Sequence, residues 1–459
     1  MPSSRSPRRL VQLLLSGLGL IWIARLLWRR RQASVPDAVP TGPRVLVLGG
    51  GWGGIYTALT LEKLAPEARI EIVNRDNFFL FTPLLPEVAA SAVDVFHIVN
   101  PIRRLFRRAQ FVEGEVERID LEHRRATVRL PGGHRRDHEY DHLVLALGSV
   151  TNYFGMDDVR ANTLAMKSLS DAIVLRNHVI AMLEQADVTE AERRAALVTF
   201  VLVGGGLAGV EVAGHLNDFV RAALRSYPNI PPRDVRIVLA EGQPRLMSEM
   251  SEELAAFALT KLHERGVEVW LNTRLAGATD QTARFTDGRE LATRTIVWQA
   301  GVAPSPFVAN LPVERDKRGR VIVDQYLRVP NQPGLWAVGD CASVPNLRQG
   351  GSYPPTAQHA LREAYSVGYN ITATLADKPP RAFDYALRVQ LASIGHQSGV
   401  AYLAGVKLYG LAAWWLWRSY YLWRLPRLEK RARVMIDWTL DFFFTRDIVQ
   451  LKMVQPRED

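Results

Sequence analysis

The chain has 459 residues, with 57 Lys+Arg against 47 Asp+Glu and a formal net charge of +10. That length suits roughly three domains, and 47% hydrophobic with 23% charged residues excludes disorder or a fibrous repeat as a global description. A single cysteine, Cys341, excludes an intramolecular disulfide, a CxxC dithiol and a multi-cysteine zinc site, and the basic excess asks for an anionic partner: nucleic acid, an anionic membrane or a small anionic cofactor.

Residues 1–32 read as a membrane segment. Arg5, Arg8 and Arg9 precede an uncharged run from Leu10 to Ile23; Arg25 interrupts it and Arg29–Arg31 close it. The apolar span of roughly 19 residues is near the length of a spanning helix. Arginine-rich sequence follows it, not a small-residue cleavage site, so an uncleaved anchor is expected ahead of an in-plane helix or a signal peptide. Residues 33–43 form a Pro-rich linker.

Arg44–Leu48 is a short buried-type strand that runs into Gly49-Gly50-Gly51-Trp52-Gly53-Gly54. Helical apolar spacing over 55–65 and a strand at Ile70–Val73 follow. Strand, glycine turn, helix and strand are the context that makes GxGxxG a dinucleotide fingerprint. The pattern recurs: strand Val198–Val203, then Gly204-Gly205-Gly206-Leu207-Ala208-Gly209, a helix to about Leu224 and a strand Val235–Ala240. Two fingerprints mean two dinucleotide folds in one chain.

In each turn the glycines let the backbone approach a pyrophosphate, and the next helix aims its N-terminal amides at that anion. The residue ending the second strand reads the ribose. In the second turn this is Glu241, whose carboxylate accepts a 2′-OH and repels a 2′-phosphate, which favours NADH. In the first turn it is Asn74, followed by Arg75, and this position alone is ambiguous between the two nucleotide types. Two nucleotide folds without a disulfide or metal cluster suggest a flavoprotein, with FAD resident in one fold and a nicotinamide donor in the other. Tyr140–Ser149 and Leu335–Ala342 read as strands ending in small-residue turns, and Asp340 in the second can bond a flavin ribityl chain.

Leu408–Trp423 is apolar and aromatic, interrupted by Arg418 and broken by Pro426. Residues 427–444 mix Arg427, Lys430, Arg431 and Arg433 with Val434, Ile436, Trp438, Leu440 and Phe442–Phe444. Basic residues with Trp and Tyr describe an interfacial membrane helix, or alternatively a dimer helix. Much of the positive charge therefore reads as membrane-surface charge at the two ends of the chain. Nucleic-acid binding is disfavoured, because the basic residues sit beside apolar aromatic stretches and no DNA- or RNA-reading motif is present.

On VLVLGGGWGG (45–54), NFFLFTPLLPEVA (77–89), YDHLVLALGS (140–149), VLVGGGLAGVEVAGHL (201–216), IVWQAGV (296–302), WAVGDCA (336–342), PPTAQHA (354–360) and LASIGHQSGVA (391–401), the sequence resembles the type II NADH dehydrogenases. These are single-chain NADH:quinone oxidoreductases that pump no protons. The resemblance covers roughly residues 43–445. It implies an α/β fold of two Rossmann-like domains, an FAD domain split by an inserted NADH domain, with the N-terminal membrane helix and C-terminal amphipathic membrane-docking helices added. The expected partition is 1–32 anchor, 33–43 linker, 44–160 and 326–400 FAD-binding, 161–325 NADH-binding and 401–459 membrane-docking.

The resemblance also implies site residues. FAD would be held by Gly49, Gly50, Gly51, Gly54, Asn74, Arg75, Val116, Ala146, Gly148, Gly339, Asp340 and Ala357, with Thr82, Pro83 and Leu84 near the isoalloxazine. NADH would be held by Gly204, Gly206, Gly209, Glu241 and Gly301. Glu211 is expected in the first turn of its helix, near the contact of nicotinamide and flavin. On the quinone side the AQxAxQ pattern keeps Gln358 but has Arg362 for its second Gln. Glu211, Gln358 and Arg362 are the catalytic candidates, and no metal is expected. The implied partners are a membrane quinone and a bilayer surface, with a homodimer through the C-terminal region as a further use of that surface and the catalytic domains facing the cytoplasm. The alternatives are a membrane-tethered NAD(P)H flavin reductase for another acceptor, or a low-turnover redox-sensing flavoprotein. His359 and His396 read as packing or hydrogen-bonding residues.

Overall fold

The computed structural model describes residues 40–450, so the expected N-terminal anchor and most of the Pro-rich linker lie outside the described residues. In chain order the elements that build the site are β1 (Arg44–Leu48), α1 (Trp52–Leu64), β2 (Arg69–Asn74), α2 (Leu85–Ala89), β3 (Gln110–Glu113), β4 (His142–Leu145), β5 (Leu164–Ala165), α3 (Leu169–Asp187), β6 (Thr199–Val203) and α4 (Leu207–Ala223). They continue with β7 (Arg236–Ala240), α5 (Glu252–Glu264), β8 (Val267–Trp270), β9 (Thr295–Trp298), β10 (Leu335–Ala337), α6 (Ala357–Leu375), β11 (Val389–Ser393), β12 (Gly399–Leu403), β13 (Val406–Tyr409), α7 (Gly410–Arg424) and α8 (Leu428–Leu440).

Two five-stranded sheets form the frame. The first has the order β10-β4-β1-β2-β3 and the second β5-β9-β6-β7-β8. Every pairing in both is parallel. A parallel sheet with covered faces needs apolar residues on both sides of its strands, which is why RVLVL and TFVLV are continuous and not alternating. In each sheet the order reverses at the central strand, β1 or β6. The crevice at the carboxyl end of that strand is where doubly wound sheets take their ligand.

The second sheet is inserted into the first. The chain leaves after β4 and returns only at β10, and the outgoing segment Ser149–Thr151 pairs antiparallel with the returning Val302–Pro304. Helix α6 closes the first fold against α1, where Gly368 admits the Thr60 side chain and Thr57 Oγ1 donates to the Ala364 carbonyl.

The C-terminal part is an antiparallel sheet, β11-β12-β13, followed by α7 and α8. The aromatic run expected as one membrane-facing stretch divides in two. Leu408 and Tyr409 finish β13, and α7 turns Trp414 and Trp417 fully inward while Trp415 and Trp423 stay 53% and 64% exposed. Trp438 of α8 is buried as well. The expected surface charge also needs correction at two positions. Arg418 is 5% exposed and faces a buried carboxylate, and Lys430 is 9% exposed with its ammonium donating to the Phe96 carbonyl. Among the described residues no helix is long and apolar enough to cross a membrane.

Candidate functional site

The two glycine turns have the same construction. Gly49 and Gly204 hold φ of +112° and +107°, and a Cβ on either would collide with backbone of the neighbouring strand end: the Ala146 carbonyl oxygen at 2.2 Å and the Gln299 carbonyl carbon at 2.7 Å. Gly54 and Gly209 each lie so close to the carbonyl of the first glycine that a Cβ would sit 1.8 Å from its oxygen. These contacts seat α1 and α4 directly behind the turns. Neither helix has a side-chain cap or an acid in its first turn, so the N-terminal amides are left for an anion. No atom lies within 4 Å of where a Cβ on Gly51 or Gly148 would stand, so the cradle is open on the ligand side. The residues present therefore fit a dinucleotide at each turn.

Asn74 and Glu241 close the two turns. Asn74 Oδ1 accepts from the Gly50 amide at 2.8 Å, and its Nδ2 donates to the Asp76 carbonyl at 2.8 Å. Glu241 accepts from the Gly205 amide with one oxygen and from the Gln243 amide at 2.7 Å with the other. Arg75 is exposed beside Asn74, and Val116 is half-buried on a separate three-stranded antiparallel sheet (strand Glu115–Asp120) just past the strand that pairs with β2. Gly301 lies under the Phe154 ring and accepts from the Asn152 amide through its carbonyl.

At the carboxyl edge of the first sheet, Trp52 Nε1 donates to Thr82 Oγ1 at 3.1 Å and fixes the Thr82-Pro83-Leu84 turn against α1. Across the sheet, Asp340 accepts from Ser149 Oγ at 2.5 Å and pairs with Lys167 Nζ at 3.3 Å, while Lys167 also donates to Ser149 Oγ at 2.7 Å. This triad joins the outgoing segment, the approach to α3 and the Gly339–Cys341 turn. The Gly339 amide donates to the buried Glu363 carboxyl at 2.7 Å, and burial pushes that carboxyl up to about 7. Cys341 is a buried thiol, pushed by burial up to about 12, and takes no part in dithiol chemistry.

Ala357 is the first residue of α6, capped by Thr356, whose Oγ1 accepts from the His359 amide. Gln358 Nε2 donates to the Tyr385 hydroxyl at 2.8 Å, and the Arg362 guanidinium sits 5.5 Å from the Tyr385 ring centroid. Tyr385 is thus the common neighbour of the two quinone-side candidates. His359 packs on Tyr353 and Tyr385, and burial lowers its ring to about 4. His396 packs on Trp414 and Phe442.

Glu211 departs from the expected setting. Helix α4 begins at Leu207, which places Glu211 in the second turn, beyond the reach of the helix dipole. Its carboxyl is held from outside the helix: Oε1 accepts from the Ser393 amide at 3.1 Å and from Trp417 Nε1 at 2.8 Å. Burial pushes it up to about 8 against those two donors. On the facing helix α2, Glu87 is fully buried and pushed by burial up to about 7, with Trp438 Nε1 donating to its Oε2 at 2.7 Å.

The glycine turns, Asn74, Glu241, Ala146, Gly148, Gly301 and Asp340 are therefore gathered at the two sheet edges, and Gln358 and Arg362 stand together on α6. Sequence reading missed Lys167, Ser149, Ser393, Glu363, Glu87 and the two indoles. The only local signal for Lys167 was the S-x-x-D capping box that follows it, formed by Ser168 and Asp171.

Two dinucleotide folds, one nested in the other around a site with one buried thiol, define a pyridine-nucleotide-dependent flavoprotein oxidoreductase. The family model for pyridine nucleotide-disulphide oxidoreductases matches residues 43–364, and the NDH2 C-terminal domain model matches residues 390–447. A probable NADH dehydrogenase of Dictyostelium discoideum is 31% identical, with 88% of this chain and 90% of that protein covered. A type II NADH:quinone oxidoreductase of Mycobacterium tuberculosis is also 31% identical, covering 89% of each. The fold matches the structure of NDH2 from Plasmodium falciparum in complex with NADH at a TM-score of 0.82 and 20% identity, covering 89% of this chain and 99% of that one. The chain belongs to the type II NADH:quinone oxidoreductase family.

Proposed function

We propose that this enzyme passes two electrons from NADH through FAD to a membrane quinone, without pumping protons. The observation that carries this reading is the pair of open glycine cradles at the switch points of two nested sheets, one closed by an amide side chain and the other by a carboxylate. The first cradle, with Asn74 and Asp340, suits FAD; the second, with Glu241, suits NADH. When bound, FAD supplies the two-electron carrier chemistry. The protein's own share is to hold the two nucleotides, orient them and exclude water. The expected partition, with the NADH domain at 161–325 inserted between 44–160 and 326–400, is supported by the second sheet lying within that insert and by the pairing of Ser149–Thr151 with Val302–Pro304.

Gln358 and Arg362 are assigned to the acceptor side. The acceptor reaches them from a bilayer on which α7 and α8 rest. Exposed Leu411, Trp415, Trp423, Leu428, Ile436 and Phe443 support this seat, with Arg424, Arg431 and Arg433 close by in the sequence for anionic headgroups. Arg362 in place of a glutamine keeps a second reading in view, a reductase for a different acceptor. The test is a flavin spectrum with turnover assays on protein extracted from membranes. Bleaching by NADH in preference to NADPH, with turnover that depends on quinone, supports the proposal. Bleaching without quinone turnover favours the other acceptor.

A further inference from the structure

Motif 77–89 contains a carboxylate that the proposed reaction does not use. Glu87 is 1% exposed, and its Oε1 has no hydrogen-bond partner. Helix α2 packs against α4, which carries Glu211, so the fully buried Glu87 carboxyl and the half-buried Glu211 carboxyl act on each other across that contact. Each is bonded by an indole from the C-terminal helices, Trp417 to Glu211 and Trp438 to Glu87, and the two indoles lie 6.3 Å apart.

The charges around this pair can be assigned one by one. Arg446 is committed to Asp441, with Nε to Oδ1 at 2.8 Å and Nη2 to Oδ2 at 3.2 Å. Arg418 has no such partner. Its Nη2 is 3.9 Å from Glu87 Oε1, and its guanidinium is enclosed by the rings of Trp414, Trp438 and Phe442. His215, one helical turn after Glu211, is buried with both ring nitrogens unpaired and is kept neutral by burial and by the nearby arginines. Asp218, further along α4, is spent on Arg265, and Tyr421 stays a neutral phenol. One unspent positive charge therefore faces two carboxyls, which a buried site balances with one anion and one proton.

Arg418 and the Trp438 indole both favour the anion on Glu87. We propose that Glu87 carries the negative charge opposite Arg418 and thereby keeps a proton on Glu211 through neutral pH, as a positioning residue acting through Glu211. The inference rests on the quinone reading for its use. Reduction of a quinone to quinol consumes two electrons and two protons. NADH brings both electrons and one proton, and the second proton comes from solvent by way of Glu211, which is then refilled from water.

The test uses FAD-loaded enzyme and two readouts. One is the infrared carbonyl band of a protonated carboxyl, titrated with pH and assigned to Glu211 by its loss in Glu211→Gln. The other is the alkaline limb of NADH:quinone turnover. In Glu87→Gln, Arg418 is left unopposed before Glu211, so the band titrates and the limb falls roughly one pH unit lower, about a tenfold loss of proton affinity. A folded, FAD-bearing Glu87→Gln enzyme with both readouts unmoved, or moved upward, overturns the proposal. If that variant fails to fold, Trp438→Phe decides: removing the indole weakens the Glu87 anion and moves the band in the same direction by less, and an unmoved band overturns the proposal. Because the band titration needs no quinone, failure of the quinone reading is read separately from failure of this one.

Discussion

Asn74 and Glu241 stand at the same place in the two nucleotide turns, each accepting a hydrogen bond from the amide of the second glycine, Gly50 or Gly205. Asn74 spends its other side-chain atom on the Asp76 carbonyl, so the amide completes the turn without a charge. Glu241 completes its turn with a carboxylate that also caps Gln243. An asparagine in the first turn therefore closes it without a charge and leaves the turn geometry intact.

Discrimination between the two nicotinamide donors should reside in Glu241. In Glu241→Gln the Gly205 bond can persist while the repulsion of a 2′-phosphate is lost. The ratio of kcat/KM for NADH over NADPH should fall about 10- to 100-fold, on the scale of a hydrogen bond to a charged group. A ratio that does not change would remove Glu241 from the ribose site.

The two cradles should fail independently. Gly204→Ala places a methyl against Gln299 and Ala300 at a φ that L-residues rarely adopt. The purified protein should keep its flavin absorbance yet bleach with NADH at least about tenfold more slowly. Gly49→Ala makes the same clash against Ala146 and should yield protein depleted of flavin.

Trp417→Phe should move the alkaline limb of turnover upward. The indole stabilises the ionised form of Glu211 at 2.8 Å, and without it the carboxyl rises above its present value of about 8. This direction is opposite to that expected for Glu87→Gln. The pH profiles of the two variants, measured side by side, check both signs.

Glu363 should govern alkaline stability. Its carboxyl is raised from 4.5 to about 7, so the folded state binds more protons than the unfolded state in that window. Stability is full below about pH 4.5 and is lost as pH climbs through about 7. Glu363→Gln keeps an acceptor for the Gly339 amide and does not ionise. It should raise stability by about 3 kcal/mol at pH 8 and leave it nearly unchanged at pH 4.5, measured by denaturant melts at the two values.

Trp415 and Trp423 should carry the seat on the bilayer. The double variant Trp415→Ser, Trp423→Ser should weaken co-sedimentation with anionic vesicles several-fold. A matching variant at the inward Trp414 should lower the melting temperature instead.

The frame of this enzyme was legible because it is local. The strand-turn-helix units around Gly49 and Gly204 are specified within a few dozen residues each, and the observed bounds of β1, β2, β6 and β7 differ from the expected ones by only a residue at some ends. What stayed hidden depends on distant parts of the chain meeting. Nothing near Glu211 announces Ser393 or Trp417, and nothing near Asp340 announces Lys167. The aromatic run at the C-terminus misled for a related reason. Composition cannot tell an indole left on the surface from one that reaches inward to a carboxylate, and α7 contains both.

The paired segments Ser149–Thr151 and Val302–Pro304 also bear on how the molecule comes to exist. Strand β10 must find β4 across residues 146–334, a closure that is slow and entropically unfavourable for an open chain. Once the inserted fold has formed and clasped its own ends, the remaining gap is essentially the stretch from Pro304 to Leu335, and the closure entropy falls by about 1.5 kcal/mol. The inserted sheet thus serves as a template that favours completing the outer one, and chain entropy favours assembly from the inside of the chain outward.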